Sequence, residues 1–204
     1  MLELFPCKSC PYWLGMNPSC PECEEARIGG PVFQEKLRAM TNAKQVRIDR
    51  LRRLIGKPQV GLVGCGKSKQ TGTHKASELY TGRLFRGAFE VASAHCEEVY
   101  ILSAKHGLLA PGDLVESYDY SLYDVSLAER DQWGSGIVSH LKTLFPVDLG
   151  LRFVFYAGQG YVRPVLDQAR VPQWEFFEAM RGLNLFQRME WLRGSIDALG
   201  SCAC

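Results

Sequence analysis

The chain has 204 residues, 46% of them apolar, and a formal net charge of +2. That suits one compact, self-stabilising domain with a small appendage, and it means that any functional charge is local. No stretch approaches the roughly 18–20 continuous apolar residues of a membrane span, and the start, MLELFPCKSCPYW, lacks the basic and apolar regions of a signal peptide, so a cytoplasmic protein with no membrane partner is expected.

Four of the eight cysteines, Cys7, Cys10, Cys20 and Cys23, form C-x2-C-x9-C-x2-C within residues 1–30. Two close thiolate pairs converge readily on one tetrahedral metal, and sulfur ligands suit zinc. Two disulfides are the alternative, and a reducing compartment disfavours them. A structural zinc knuckle is therefore expected, its four thiolates filling the coordination shell and its fold dependent on the metal. Cys202 and Cys204 stand in a short tail that reads as a frayed terminus.

Residues 31–57 read as a basic linker helix, with a rough apolar stripe at Phe33, Leu37, Met40, Val46, Leu51, Leu54 and Ile55. Over residues 31–56, seven Lys and Arg oppose only Glu35 and Asp49, so that stretch carries +5 and the remainder of the chain −3. The asymmetry, beside a zinc knuckle, points to a polyanion, with Arg47, Arg50, Arg52 and Arg53 as nucleic-acid contacts; a merely solvated helix face is the alternative.

From residue 58 to 204 the texture is α/β. Short apolar runs at 60–64, 98–104 and 151–158 alternate with helical patterns at 84–96, 127–145 and 185–199. Strands buried on both faces read as continuous apolar runs, so a mostly parallel sheet between helix layers is expected. The first run continues as GLVGCGKS (61–68), which matches the phosphate-binding loop G-x-x-x-x-G-K-[ST]. Its context argues against that role. Gly61 falls inside the strand, the segment after Lys67 is a poor helix start, and neither later run, 98–104 or 151–158, ends in an acid for magnesium.

The three strand ends nevertheless bring polar groups to one edge, where open α/β sheets bind ligands. Gly-Cys-Gly-Lys-Ser-Lys presents backbone N–H groups and two cations, through Cys65, Gly66, Lys67, Ser68 and Lys69. The second end carries Lys105 and His106, and the third Gln159 and Tyr161. ESYDYSL adds Tyr118 and Asp119. Cys65 reads as a small buried residue rather than a nucleophile.

The ordered segments VGCGKSK, ELYTGRLF, VYILSAKHGLLAP, ESYDYSL and FYAGQGY resemble a bacterial and phage family of domains of unknown function. Its signature is CSKSK, LYTG-x-LF, SAKHGLL, YD and AG-x-x-Y. The likeness spans about residues 60–193, with Gly66 and Ser117 departing from the family's serine and proline. That family is similar in turn to the YaaA proteins, which are linked to DNA binding, and to the uracil-DNA-glycosylase-like α/β fold.

The resemblance implies a pocket for a nucleobase. The expected function is excision of a modified base from DNA, in repair or anti-phage defence. Asp119 would stabilise the cationic sugar or orient water, while His106 and Lys105 stabilise the departing base. Gln159 would read a base edge, Tyr118 or Tyr161 would stack, and Ser68 and Lys69 would hold phosphates. Lys105 as an amine nucleophile is ranked below water. A non-catalytic zinc-containing DNA-binding protein and an enzyme of free nucleosides or nucleotides are the alternatives.

Overall fold

The computed structural model describes residues 31–54 and 56–201. The four N-terminal cysteines, and Cys202 and Cys204, lie outside them. The chain divides into two compact units, residues 1–53 and 54–204.

In the first unit, helix α1 runs Pro31–Arg52. Proline is favoured at a first helical position, where its missing N–H is not needed. The helix ends short of the expected 57. Arg53 N–H tightens onto the Arg50 carbonyl, and Gly56 takes a positive φ of 89°, which side chains resist. Arg50, Arg52 and Arg53 are exposed and Arg47 is half-buried. Asp49 accepts a hydrogen bond from Gln45 (2.9 Å) and lies 4.0 Å from Arg52.

The second unit is the α/β domain. Its elements are β1 (Gln59–Gly64), β2 (Thr73–Lys75), α2 (Ala76–Leu79), α3 (Arg83–His95), β3 (Glu98–Ser103), β4 (Gly107–Leu109), β5 (Leu114–Glu116), α4 (Leu127–Leu144), β6 (Leu151–Tyr156), α5 (Gln159–Gln168), β7 (Trp174–Glu178) and α6 (Leu185–Ser201). The main sheet has the order β4-β3-β1-β6-β7, parallel except for β4; β2 and β5 form a separate antiparallel pair. The expected strands and helices recur within three residues of their predicted ends. The α/β architecture with a mostly parallel sheet stands, with one antiparallel edge added.

From β1 the chain crosses through α3 to β3; from β6 it crosses through α5 to β7, in the opposite direction. Right-handed crossovers running opposite ways place α3 and α5 on opposite faces. α3 packs with α6 and α4 with α5. The paths therefore diverge between β1 and β6, the switch point where such sheets open a ligand crevice.

The glycines of GLVGCGKS have a packing explanation. A Cβ on Gly61 would stand 3.2 Å from that of Ala92 on α3, and one on Gly64 would stand 3.0 Å from that of Ala157. After β1 the chain forms no helix at Lys67; it stays irregular or extended until α2 begins at Ala76. The segment is a strand end under a close-packed helix, and the phosphate-loop match is formal.

Candidate functional site

Four segments meet at the carboxyl ends of β1, β3 and β6. Cys65 directly follows β1. Ala104-Lys105-His106 is the turn of the β3–β4 hairpin, closed by Gly107 at a φ of 72°. Tyr161 belongs to the first turns of α5, and Tyr118 to the loop after β5.

Their side chains form a buried relay of hydroxyls. Tyr118 Oη lies 2.9 Å from Tyr80 Oη and 2.8 Å from Ser103 Oγ, and it donates to Cys65 Sγ at 3.7 Å. A phenol has one proton and accepts through two lone pairs, so Tyr118 accepts from Tyr80 and Ser103. Ser103, fully buried, accepts in turn from the His106 backbone N–H (3.1 Å), and its carbonyl accepts from Trp133 Nε1 (2.9 Å). Tyr161 Oη reaches Cys65 Sγ at 3.2 Å, tying β1 to α5 across the switch point. Burial, and then neighbouring Cys65, push the Tyr80, Tyr118 and Tyr161 hydroxyls above their usual range. They stay protonated at neutral pH.

Cations cap this relay. Lys69 Nζ lies 4.3 Å from the centre of the Tyr118 ring, and Lys105 Nζ 5.7 Å from the same centre. Both are drawn to the ring's negative face. His106 packs edge-on against Tyr118, with centroids 5.1 Å apart. Its Nε2 is buried and has no hydrogen-bond partner among the described residues.

Burial first, and Lys105 second, hold the His106 pKa below its ordinary 6.5. The imidazole is neutral at pH 7. A depressed folded-state pKa means that the unfolded chain takes up the proton first. The His106 contribution to stability is thus complete above pH 6.5 and is lost as pH falls from there through the folded-state value. Stability measured by urea unfolding should decline over this acid window, and His106→Gln should flatten the decline.

The expected site residues separate into two groups. Cys65, Lys69, Lys105, His106, Tyr118 and Tyr161 are brought together. Lys67, Ser68 and Asp119 are exposed, and Asp119 follows Tyr118 directly along the chain. Gln159 donates to Glu178 (2.5 Å), the last residue of β7, instead of to a group at the ends of β1, β3 or β6. Two expectations need correction. The loop amides do not all face a ligand: Cys65 N–H is bonded to the Leu102 carbonyl (3.0 Å). Tyr118 and Tyr161 are only 9% and 8% exposed, so neither ring offers an open face for stacking. They act in the relay through their hydroxyls.

Sequence reasoning did not assign Tyr80, Ser103 or Trp133. Tyr80 was marked only by its place in LYTG, and Ser103 by its place beside Lys105. Trp133 carried no local signal, since its role depends on α4 lying over the end of β3.

Residues 60–194, about two thirds of the chain, match the sequence model of a family of unknown function (DUF6884). No curated protein matches the chain.

Proposed function

The chain belongs to the DUF6884 family, whose function is unknown, and from the geometry of the strand ends we propose that it hydrolyses the N-glycosidic bond of a modified base in DNA. The observation that carries this reading is His106. A buried polar atom without a partner costs free energy, and Nε2 is such an atom beside a relay whose hydroxyls are all bonded. That cost is explained if a substrate group supplies the missing partner.

In the proposed reaction a water oxygen attacks the sugar C1′. The C1′–N bond breaks, and its electron pair leaves with the base. Positive charge grows on the sugar and negative charge on the base. Asp119, exposed beside the relay, orients the water, accepts its proton and faces the cationic sugar. Lys105 and the neutral His106 N–H stabilise the departing base. Lys69 and the exposed Ser68 and Lys67 hold neighbouring phosphates. A neutral imidazole can perform this task, because in the tautomer that carries its proton on Nε2 it donates an N–H hydrogen bond without itself being charged. A uracil-DNA-glycosylase-like arrangement of the domain belongs to the same proposal.

The N-terminal region completes it. Cys7, Cys10, Cys20 and Cys23 bind one structural zinc, and α1 adds salt-sensitive duplex contacts through Arg47, Arg50, Arg52 and Arg53. Metal analysis of the purified chain should return about one zinc per molecule. The double variant Cys20→Ser/Cys23→Ser should lose it; retention of zinc in that variant would overturn the site.

The decisive experiment incubates the zinc-loaded chain with natural and phage-modified DNAs and detects free base by mass spectrometry. Release from one modified substrate is the expected result. Salt-sensitive binding without release from any DNA would overturn the enzymatic reading in favour of a binding protein. Release from free nucleosides but not from DNA would overturn the polymeric substrate.

A further inference from the structure

Tyr123 lies in the loop between β5 and α4. The residue is 59% exposed, yet its backbone is hydrogen-bonded on both sides. Its N–H donates to Ser121 Oγ (3.1 Å), and its carbonyl accepts from Arg130 Nη2 (3.0 Å), which also bonds the Val125 carbonyl (3.1 Å). The ring rests on the turn between β6 and α5. A Cβ added to Gly160 would stand 2.8 Å from two of its ring carbons, and one added to Gly158 would stand 3.0 Å from its hydroxyl. Its edge meets Tyr161, with centroids 6.4 Å apart at 78°. Through Tyr161 it is continuous with Cys65 and the hydroxyl relay.

The two glycines are the informative part. Neither has a positive φ, so no backbone conformation demands them. Gly160 even lies within α5, where glycine costs about 1 kcal/mol relative to alanine. What they provide is a floor without side chains on which an aromatic ring can lie. A large exposed ring on a rigid floor, at the carboxyl edge of the sheet, has the properties of a stacking platform.

We propose that Tyr123 is the surface on which the substrate's nucleobase stacks. This rests on the reading of the site as one that takes a nucleotide unit, and it gives the stacking role to a ring that can perform it. The partner it selects is a planar heteroaromatic ring, with little preference among bases from stacking itself, because every base has a π-face.

The test uses the full zinc-loaded chain and a single-stranded oligonucleotide carrying 2-aminopurine, whose fluorescence is quenched on stacking. Single strands avoid the cost of extruding a base from a duplex. Wild type and Tyr123→Phe should quench the probe. Tyr123→Leu should lose the quench and bind about ten-fold or more weakly, as loss of a base–aromatic stack predicts, with its melting temperature close to wild type. Gly160→Ala should also weaken the quench by displacing the ring, although helix propensity alone predicts a gain in stability.

A Tyr123→Leu variant that melts early but quenches and binds like wild type would overturn the proposal and reduce Tyr123 to a loop anchor. An absence of quench by wild type would overturn it as well. Base release is scored separately on the modified substrate. Quench that depends on Tyr123 without any release upholds the platform and overturns hydrolysis; release that ignores Tyr123→Leu, with unchanged quench, does the reverse.

Discussion

Gly134→Ala should be the most damaging single methyl group that can be added to the α/β domain. Gly134 is buried in α4. An ideal Cβ there would stand 2.2 Å from the Pro164 carbonyl oxygen and 2.4 Å from its carbonyl carbon. Both are backbone atoms of α5, so no rotamer change relieves the clash and the two helices must move apart. Overpacking usually costs about 1–3 kcal/mol when side chains can yield; with backbone on the far side, a loss of about 3 kcal/mol or more is expected. For a chain of this length that corresponds to a melting temperature lower by about 6–12 °C. Gly136, two residues on in the same helix, supplies the control. It is exposed, with nothing within 4 Å of an added Cβ, so Gly136→Ala should be neutral or stabilise by up to about 1 kcal/mol through helix propensity. Thermal unfolding of the pair checks the packing directly. Equal melting temperatures would mean that α4 and α5 do not meet at Gly134.

That contact also shows where sequence reading reaches its limit. α4 was legible from its helical pattern at 127–145, and the structure adds a capping box of Ser126 and Glu129 at its start. α5 was not, because it opens on Gln159-Gly160 and holds Pro164 inside, and both glycine and proline argue locally against a helix. The reason for those residues lies elsewhere in the chain: Gly160 accommodates Tyr123, and Pro164 packs on Gly134. β7 was missed for a related reason. It is an edge strand whose buried, exposed and half-buried positions lack the continuous apolar run of β1. The strand ends were legible, since β1, β3 and β6 each hold four consecutive buried residues and the polar residues begin soon after these stop. Which polar residues are accessible was not. The burial of Tyr118 and Tyr161, and the exposure of Tyr123 a few residues away, follow from a loop path that no periodicity encodes.

Asp119→Asn should lower base release by about 10²–10⁴-fold, the range lost with a transition-state charge partner or a general base. The variant keeps the shape of the side chain and removes its charge. Asp119 is exposed, so stability should stay within about 0.5 kcal/mol. The preceding residue, Tyr118, is fixed through its hydroxyl by bonds to Tyr80, Ser103 and Cys65, and on the proposed mechanism this anchors the Asp119 backbone. A charge held in advance of the reaction needs no reorganisation when the sugar becomes cationic. The loss should therefore fall on kcat, with oligonucleotide binding changed only a few-fold; a change confined to KM would assign Asp119 to binding. Lys105→Met separates the two nucleophiles. If water attacks, borohydride traps nothing and Lys105→Met retains part of the activity, since His106 still faces the departing base. If the Lys105 amine attacks C1′, borohydride reduces the resulting imine to a stable protein–DNA adduct that Lys105→Met cannot form. An adduct that persists in slowed Asp119→Asn and vanishes in Lys105→Met would replace water by lysine, leaving Asp119 as the charge that stabilises the sugar.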